Sequence, residues 1–350
     1  MAGEIVAVPV DPKTADSSFW RRYHSMRRAR QSESRPDDPV RPDSIEEQRL
    51  RRENLFHVEH RYEIAAGDVM LAWFYGHTVK PGTADYERNR HLFWADGYVR
   101  PDHRRAGLGR SWLPTLLELM DRHGCTTVGF STEEAAGDAF LNWLGAEPKM
   151  VGAENRLDAS EVDWAMVRSW SEEGPRRSPE TRLEIYDGPV PDSMLADFAA
   201  QSMAMLNTMP FEALDIGQIV VTPDHIRDMY SRMAMSGDRI HTILTREPDG
   251  TMSAMTEASW GAYRPQLIYQ MFTGVATKAR GRGLGKWIKA AMLLRLRDLY
   301  PDMRWIATDN VGSNAPMLAI NRRLGFKEYR KGTEYQMSRK QLAAHLRRNR

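Results

Sequence analysis

Two stretches of this 350-residue chain combine residue types suited to gripping an anion. The first is Val99-Arg100-Pro101-Asp102-His103-Arg104-Arg105-Ala106-Gly107-Leu108-Gly109-Arg110. The second is Val275-Ala276-Thr277-Lys278-Ala279-Arg280-Gly281-Arg282-Gly283-Leu284-Gly285-Lys286. Each follows an apolar, strand-like run and opens a helical pattern. A helix start presents unpaired backbone N–H groups and the positive end of the macrodipole. Glycine lets that backbone approach phosphate oxygens, and arginine adds charge-assisted contacts. Both stretches are expected to hold a diphosphate.

Two carboxylates near these stretches could accept a proton. Glu257 interrupts the apolar and small-residue run MSAMTEASW, residues 252–260. It faces either the outside of a sheet or a substrate groove. Asp96 lies in FWADGYV, the strand-like run entering the first basic stretch. The familiar nucleotide motifs do not fit. Gly281-x-Gly283-x-Gly285 lacks the spacing of G-x-G-x-x-G, and no acidic residue stands where a ribose contact is needed. A P-loop would require glycine at Arg280 and Ser or Thr at Trp287.

The elements around these stretches form one plan used twice. Gly283 follows Gly107 by 176 residues, about half the chain. In the first half a strand is expected at 5–10, a basic helix at 19–30, and a second helix capped by Ser44 with Glu47 as a capping box. A hairpin turns at Ala66-Gly67-Asp68, and a strand at 91–99 enters the first basic stretch. Pro114 should kink the helix that follows. A strand at 126–131 and a helix at 135–144, closed by Gly145, complete the half. The second half repeats the order. Strand 182–186 is followed by helices at 192–206 and 222–235, the latter with Thr222 as N-cap and Pro223 at its first position. Hairpin 240–246/252–260, strand 267–275, a long helix from Leu284, strand 304–308 and helix 315–324 with Gly325 follow. Residues 161–170 read as a linking helix, residues 172–180 as a breakable loop, and the basic C-terminal tail as helical.

The whole-chain properties bound the function. The net charge of +2 gives no reason to expect a nucleic-acid partner, and 41% hydrophobic composition fits two globular domains. The single cysteine, Cys125, sits in an apolar run and reads as a buried side chain in a reducing compartment. No apolar run reaches membrane-spanning length, and the N-terminus lacks the pattern of a secretory signal. A cytoplasmic protein without membrane partners is expected. His57-x-x-His60 would place two metal ligands on one face of a helix, but no third ligand accompanies them, so no metal is expected.

Arg-x-x-Gly-x-Gly at 104–109 and at 280–285 resembles the pyrophosphate-binding motif of the GNAT acetyltransferase superfamily. The second half adds Asn314-Ala315-x-Met317 and Leu324-Gly325-Phe326, which resemble a later motif of that family. The first half has Glu134 in place of that Asn and Ala146 in place of the Phe. The resemblance spans nearly the full chain and is similar to tandem members such as mycothiol synthases.

It implies an α+β fold of two GNAT-type domains, each a mixed, mostly antiparallel sheet flanked by helices. The expected divisions are 1–158, a linker at 159–181, 182–340 and a tail at 341–350. The implied activity is transfer of an acetyl or other short acyl group from acyl-CoA to a small-molecule amine. The second domain would be catalytic; the first would be structural or hold CoA without turnover. Acetyl-CoA or another acyl-CoA is the co-substrate.

For CoA, the resemblance implies Val275, Ala276, Arg280 to Lys286 and Asn314, and in the first half Val99, Arg104, Arg105, Gly107, Leu108, Gly109 and Arg110. Catalytic candidates are Glu257 as base, Asn314 beside the pantetheine arm, and, as substitute acids on the final strands, Tyr335 and Tyr329. The last two enter because the family's tyrosine acid is replaced here by Asn321. Two alternatives remain open: a donor on an acyl carrier protein, and a catalytically silent CoA-binding protein. The oligomeric expectation is monomer or homodimer.

Overall fold

The computed structural model describes residues 6–349. It divides into two units: residues up to Val151 with Glu212–Gln218 and Gly332–Arg350, and Gly152–Phe211 with Ile219–Lys331.

In the first unit, β1 (Val8–Pro9), α1 (Ser17–Ser34), α2 (Asp43–Arg51), β2 (His57–Ala66) and β3 (Val69–Val79) lead to α3 (Tyr86–Asn89) and β4 (Leu92–Val99). Then come α4 (Leu108–Ser111), α5 (Leu113–His123), β5 (Thr127–Thr132), α6 (Ala135–Leu144) and the start of β6 (Glu147–Asp158). β1 through β4 are antiparallel neighbours, and β4 runs parallel to β5 only from Leu92–Thr127 to Ala95–Phe130. Beyond Ala95 the two strands part. One sheet face packs Phe74, Phe93 and Val128 against Leu113, Leu116 and Met120 of α5. The other packs Trp73 and Tyr98 against Phe19, Trp20 and Tyr23 of α1.

The second unit holds α7 (Trp164–Arg177), β7 (Arg182–Tyr186), α8 (Leu195–Leu206), α9 (Pro223–Met235), β8 (Asp238–Arg246), β9 (Met252–Gly261) and β10 (Leu267–Val275). α10 (Leu284–Leu299), β11 (Trp305–Val311), α11 (Ala315–Leu324) and the start of β12 (Lys327–Ser338) follow. The sheet order repeats: β7, β8, β9 and β10 are antiparallel neighbours, and β10 is parallel to β11 only from Leu267–Trp305 to Tyr269–Ala307. α10 is buried on most of its surface, with α7 against one side and Ile243, Ala258, Ile268 and Ile306 of the sheet against another. α8 and α9 cover the opposite face over Leu244 and Met255.

The strand that completes each sheet comes from the other half of the sequence. Thr333–Ser338 of β12 pairs with β5, and α12 (Arg339–Arg348) then buries Leu342 in the first unit's core. Residues 152–158 of β6 pair with β11 in the second unit. The expected divisions at 158 and 340 each ran halves as contiguous pieces. Chain order alone carries no record of which edge a final strand joins.

Three local expectations are corrected. α2 is preceded by Pro42 and has no side-chain cap, so Ser44 lies inside the helix rather than capping it. His57 and His60 sit on β2, where three residues apart means opposite faces. His60 Nε2 meets His123 Nε2 at 2.8 Å while His57 packs edge-on to His77. The residues 172–180 expected as a loop continue α7 as far as Arg177, with Pro175 inside the helix. Gly174 is retained there because a Cβ would fall 2.1 Å from the Trp287 ring. Ile5 of the expected first strand lies outside the described residues; the described part is Val8–Pro9.

Candidate functional site: two basic glycine turns and a splayed strand pair

The two basic stretches adopt one backbone conformation. Each begins with a short 3-10 turn, Pro101–His103 in one and Thr277–Ala279 in the other. Each then places two residues in the left-handed region: Arg105 (φ 65°) and Gly107 (φ 83°), Gly281 (φ 83°) and Gly283 (φ 84°). Left-handed residues alternating with right-handed ones gather successive N–H groups into a concave anion nest. Helices start immediately after, at Leu108 and Leu284, whose side chains are buried in the cores. Gly109 and Gly285 serve close helix packing, since a Cβ would lie 3.1 Å from Phe140 and 3.3 Å from Ile320 respectively.

The turns differ in what surrounds them. Pro114 ends α4 at Ser111, so the helix behind the first turn is a single turn long. α10 continues for 16 residues behind the second. Arg104 is forked on Glu33, at 2.7 Å for both contacts, and its Nε donates to the Val99 carbonyl. Arg280, its counterpart, donates to the Thr208 hydroxyl at 3.0 Å and has no carboxylate partner among the described residues. Arg282 is tied to Glu247 and Thr181. Lys286 lies over the Trp170 ring. Val275 and Ala276 lead β10 into the turn, as Val99 leads β4.

Where β4 and β5 part, a cavity of about 710 Å³ opens, lined by Gly97, Val99, Arg105, Gly107, Ser131 and Phe140 among others. A second cavity of about 580 Å³ is lined by Arg30, Tyr75, His77, Trp94 and Asp96. Asp96 accepts a two-pronged contact from Arg30 and a bond from its neighbour's N–H at Gly97. That carboxylate is therefore already engaged. His77 is held neutral: burial, with His57 beside it, pushes its pKa down to about 4.

In the second unit the sheet register slips by one residue on β10 between Gln270 and Thr273. The bulge sets Met271 and Phe272 opposite a single residue of β9, Glu257. Glu257 is 7% exposed and accepts one long bond, 3.4 Å, from Thr242. Met255, two residues earlier, meets Ser202 of α8, so Glu257 shares the α8/α9 face. Burial lifts its carboxyl to about 7, the Thr242 bond pulling the other way. Tyr230 of α9 is itself pushed up to about 12 by burial, the Glu257 charge adding to the effect.

Asn314 caps α11 by accepting from the Met317 N–H at 3.4 Å, leaving its amide nitrogen without a partner among the described residues. Asn321 is buried and donates to Asn310 at 2.7 Å. Tyr335 lies in the first unit, in the core beside α6, where its hydroxyl donates to Asp138 at 2.9 Å. Burial and that carboxylate raise its pKa, which opposes ionisation. Tyr329 packs its ring under Arg156. Among the described residues, no group of three His, Cys, Asp or Glu converges as metal ligands.

Sequence reasoning missed Lys289, one of the largest fully buried side chains. Its signal was legible: it lies three, four and seven residues before Met292, Leu293 and Leu296, the buried stripe of α10.

Residues 20–142 match the acetyltransferase (GNAT) family. The tandem GNAT protein from the clavulanic acid biosynthesis pathway matches over 95% of this chain and 98% of its own, at 18% identity and a TM-score of 0.75. The fold is that of two GNAT domains in tandem. A GCN5-related N-acetyltransferase from Sphaerobacter thermophilus matches over 95% of both chains, at 14% identity and a TM-score of 0.63. A GCN5-related glucosamine N-acetyltransferase region of a fungal multi-domain β-N-acetylglucosaminidase covers 96% of this chain and 38% of its own, at 12% identity and a TM-score of 0.63. No curated protein matches in sequence. No helix among the described residues is long and apolar enough to cross a membrane.

Proposed function

We propose that this tandem GNAT protein transfers an acetyl or other short acyl group from acyl-CoA to the amine of a small molecule, with the chemistry in the second unit. The observation that carries the reading is the nest at Gly281 and Gly283, which opens the long helix α10 beside a bulged, splayed β10. The diphosphate would sit on the N–H groups of residues 281–286, with Arg280 and Lys286 as the available cations. The Asn314 amide would face the pantetheine arm. Backbone N–H groups along the free edge of β10 as far as Val275 would polarise the thioester carbonyl. Glu257 would take the proton from the attacking amine, directly or through a water; its raised pKa suits a base near neutral pH. With Asn321 in place of a tyrosine acid, the thiolate would leave unprotonated.

The first unit would bind CoA in the 710 Å³ cavity without turnover, since Asp96 is engaged by Arg30. A second reading puts turnover there, and the adjoining 580 Å³ cavity with Asp96 on its wall favours it.

Calorimetry with acetyl-CoA, and thiol release with a panel of primary amines, test the proposal on wild type, Gly283→Glu and Gly107→Glu. Loss of turnover in Gly283→Glu alone is expected. Failure of the wild type to bind CoA overturns the proposal. Loss in Gly107→Glu alone moves the chemistry to the first unit. Binding without thiol release from any amine supports a silent CoA-binding protein, and turnover only with an acylated carrier protein changes the donor.

A further inference from the structure

A directed chain of hydrogen bonds runs from inside the second unit to the splayed part of β10. Lys289 Nζ donates to Gln270 Oε1 at 2.6 Å. Gln270 Nε2 donates to Thr256 Oγ1 at 3.3 Å. Thr256 Oγ1 and Thr273 Oγ1 are 2.8 Å apart. Lys289, Gln270 and Thr256 are buried; Thr273 is half-buried.

The first bond fixes the direction of the second; between the two threonines, Thr256 donating to Thr273 is the arrangement that leaves the buried Thr256 hydroxyl hydrogen paired. Lys289 in its ammonium form only donates, which orients the Gln270 amide with its oxygen to Lys289 and its nitrogen to Thr256. Thr256 Oγ1 therefore accepts. Its own hydrogen has one remaining acceptor among the described residues, Thr273 Oγ1. Thr273 is left with a hydroxyl hydrogen that points to none of these groups.

Thr273 follows the bulge and lies beyond the last β10–β11 pair, Tyr269–Ala307. The free edge of β10 from Gln270 to Val275 spans about 17 Å at the ordinary rise of a strand. That edge leads from the splay to the phosphate turn. A buried lysine with a single neutral partner is costly to keep, and burial pushes it down to about 7. Among the described residues no carboxylate pairs with it; Phe326 presents a ring face at 5.4 Å. Packing alone would be better served by methionine or leucine.

Resting on the acyl-transfer reading above, we infer that Thr273 is a catalytic hydrogen-bond donor to the thioester oxygen, and that Lys289, Gln270 and Thr256 are positioning residues that aim it. The amine nitrogen forms a bond to the carbonyl carbon, and the C=O π pair moves to oxygen. Thr273 donates to that oxyanion without giving up its proton. The pair returns, the C–S bond breaks with its electrons on sulfur, and the amine proton goes to Glu257. An amide in the chain cannot relay a proton, so the chain fits stabilisation of an oxyanion rather than protonation of the thiolate.

The test uses the full chain, acetyl-CoA and an amine found by the thiol-release panel. Thr273→Val should lower kcat about 100-fold, with KM for acetyl-CoA and CoA affinity within twofold of wild type. Thr273→Ser should restore most of the rate. Lys289→Met frees the Gln270 amide to flip, and should lower kcat several-fold. In Thr273→Val/Lys289→Met the lysine change should add no further loss, because its effect passes through Thr273. A Thr273→Val enzyme with wild-type kcat overturns this inference and leaves the acyl-transfer reading standing. Additive losses in the double variant overturn the positioning role of Lys289. A wild type that turns over no acyl-CoA overturns both readings.

Discussion

Arg105 and Gly281 hold the same position in their respective turns and the same left-handed backbone, at φ 65° and 83°. A Cβ in this region is disfavoured by roughly 1–2 kcal/mol, and glycine escapes the penalty. The second turn thus reaches its nest unstrained, while the first reaches it against the preference of an arginine.

Arg105→Gly should therefore stabilise the first unit by about 0.5–1 kcal/mol, the greater chain entropy of unfolded glycine offsetting part of the relief. Gly281→Arg should destabilise the second by about 1 kcal/mol. Urea denaturation of the full chain followed by hydrogen exchange in each turn reads both changes. Opposite signs, with the loss at Gly281 at least as large as the gain at Arg105, are the expected result.

Glu257 should make stability fall as pH rises. Its folded pKa of about 7 lies above the usual 4.5, so the folded state holds the proton more tightly. The associated stability is complete below pH 4.5 and is lost as pH climbs to about 7, a span of about 3 kcal/mol. Glu257→Gln should flatten that part of a stability–pH curve measured by denaturant. It should also lower kcat by a factor of about 10²–10⁴. In the wild type kcat/KM should rise through an apparent pKa near 7 as the carboxylate forms.

Lys289 acts with the opposite sign. Its folded pKa of about 7 is below the usual 10.5, so stability is complete above pH 10.5 and is lost as pH falls to about 7. Lys289→Met should stabilise the protein at pH 7 by several kcal/mol, on the order of 4, and remove the slope between pH 7 and 10.5. A thermal melt series across that range checks it. Greater stability combined with a slower enzyme is the expected pairing.

Tyr335→Phe should cost about 1–2 kcal/mol through loss of the bond to Asp138. Acyl transfer should keep its kcat, because the hydroxyl belongs to the first unit's core. A large fall in kcat with unchanged stability would return Tyr335 to the chemistry.

Gly174→Ala should destabilise the α7–α10 contact by about 1–3 kcal/mol, since the new methyl would enter the Trp287 ring. The effect should appear as a lower midpoint with an unchanged m-value.

Much of this architecture was legible in the chain. Thr222-Pro223 marked the start of α9, and the closing glycines Gly145 and Gly325 marked the ends of α6 and α11, to the residue. These signals are local: a cap or a positive-φ glycine acts within one helical turn. α7 outran its expected end because Trp287 packs on Gly174, a tertiary contact that overrides a weak helix former. Lys289 was overlooked although it keeps the helical spacing of Met292, Leu293 and Leu296, because a lysine in a helix is ordinarily read as solvated.

By itself the sequence determined the repeat, the two glycine-rich basic turns and the order of elements. Tertiary structure decided which strand closes each sheet, since β6 and β12 find their edges through pairing that chain order does not encode. It also decided that Tyr335 is engaged by Asp138, that Arg104 is neutralised by Glu33 while Arg280 has no carboxylate partner among the described residues, and that a bulge faces Glu257. Residue types and spacings set local backbone preference; burial, register and charge pairing depend on which distant residues fold against them.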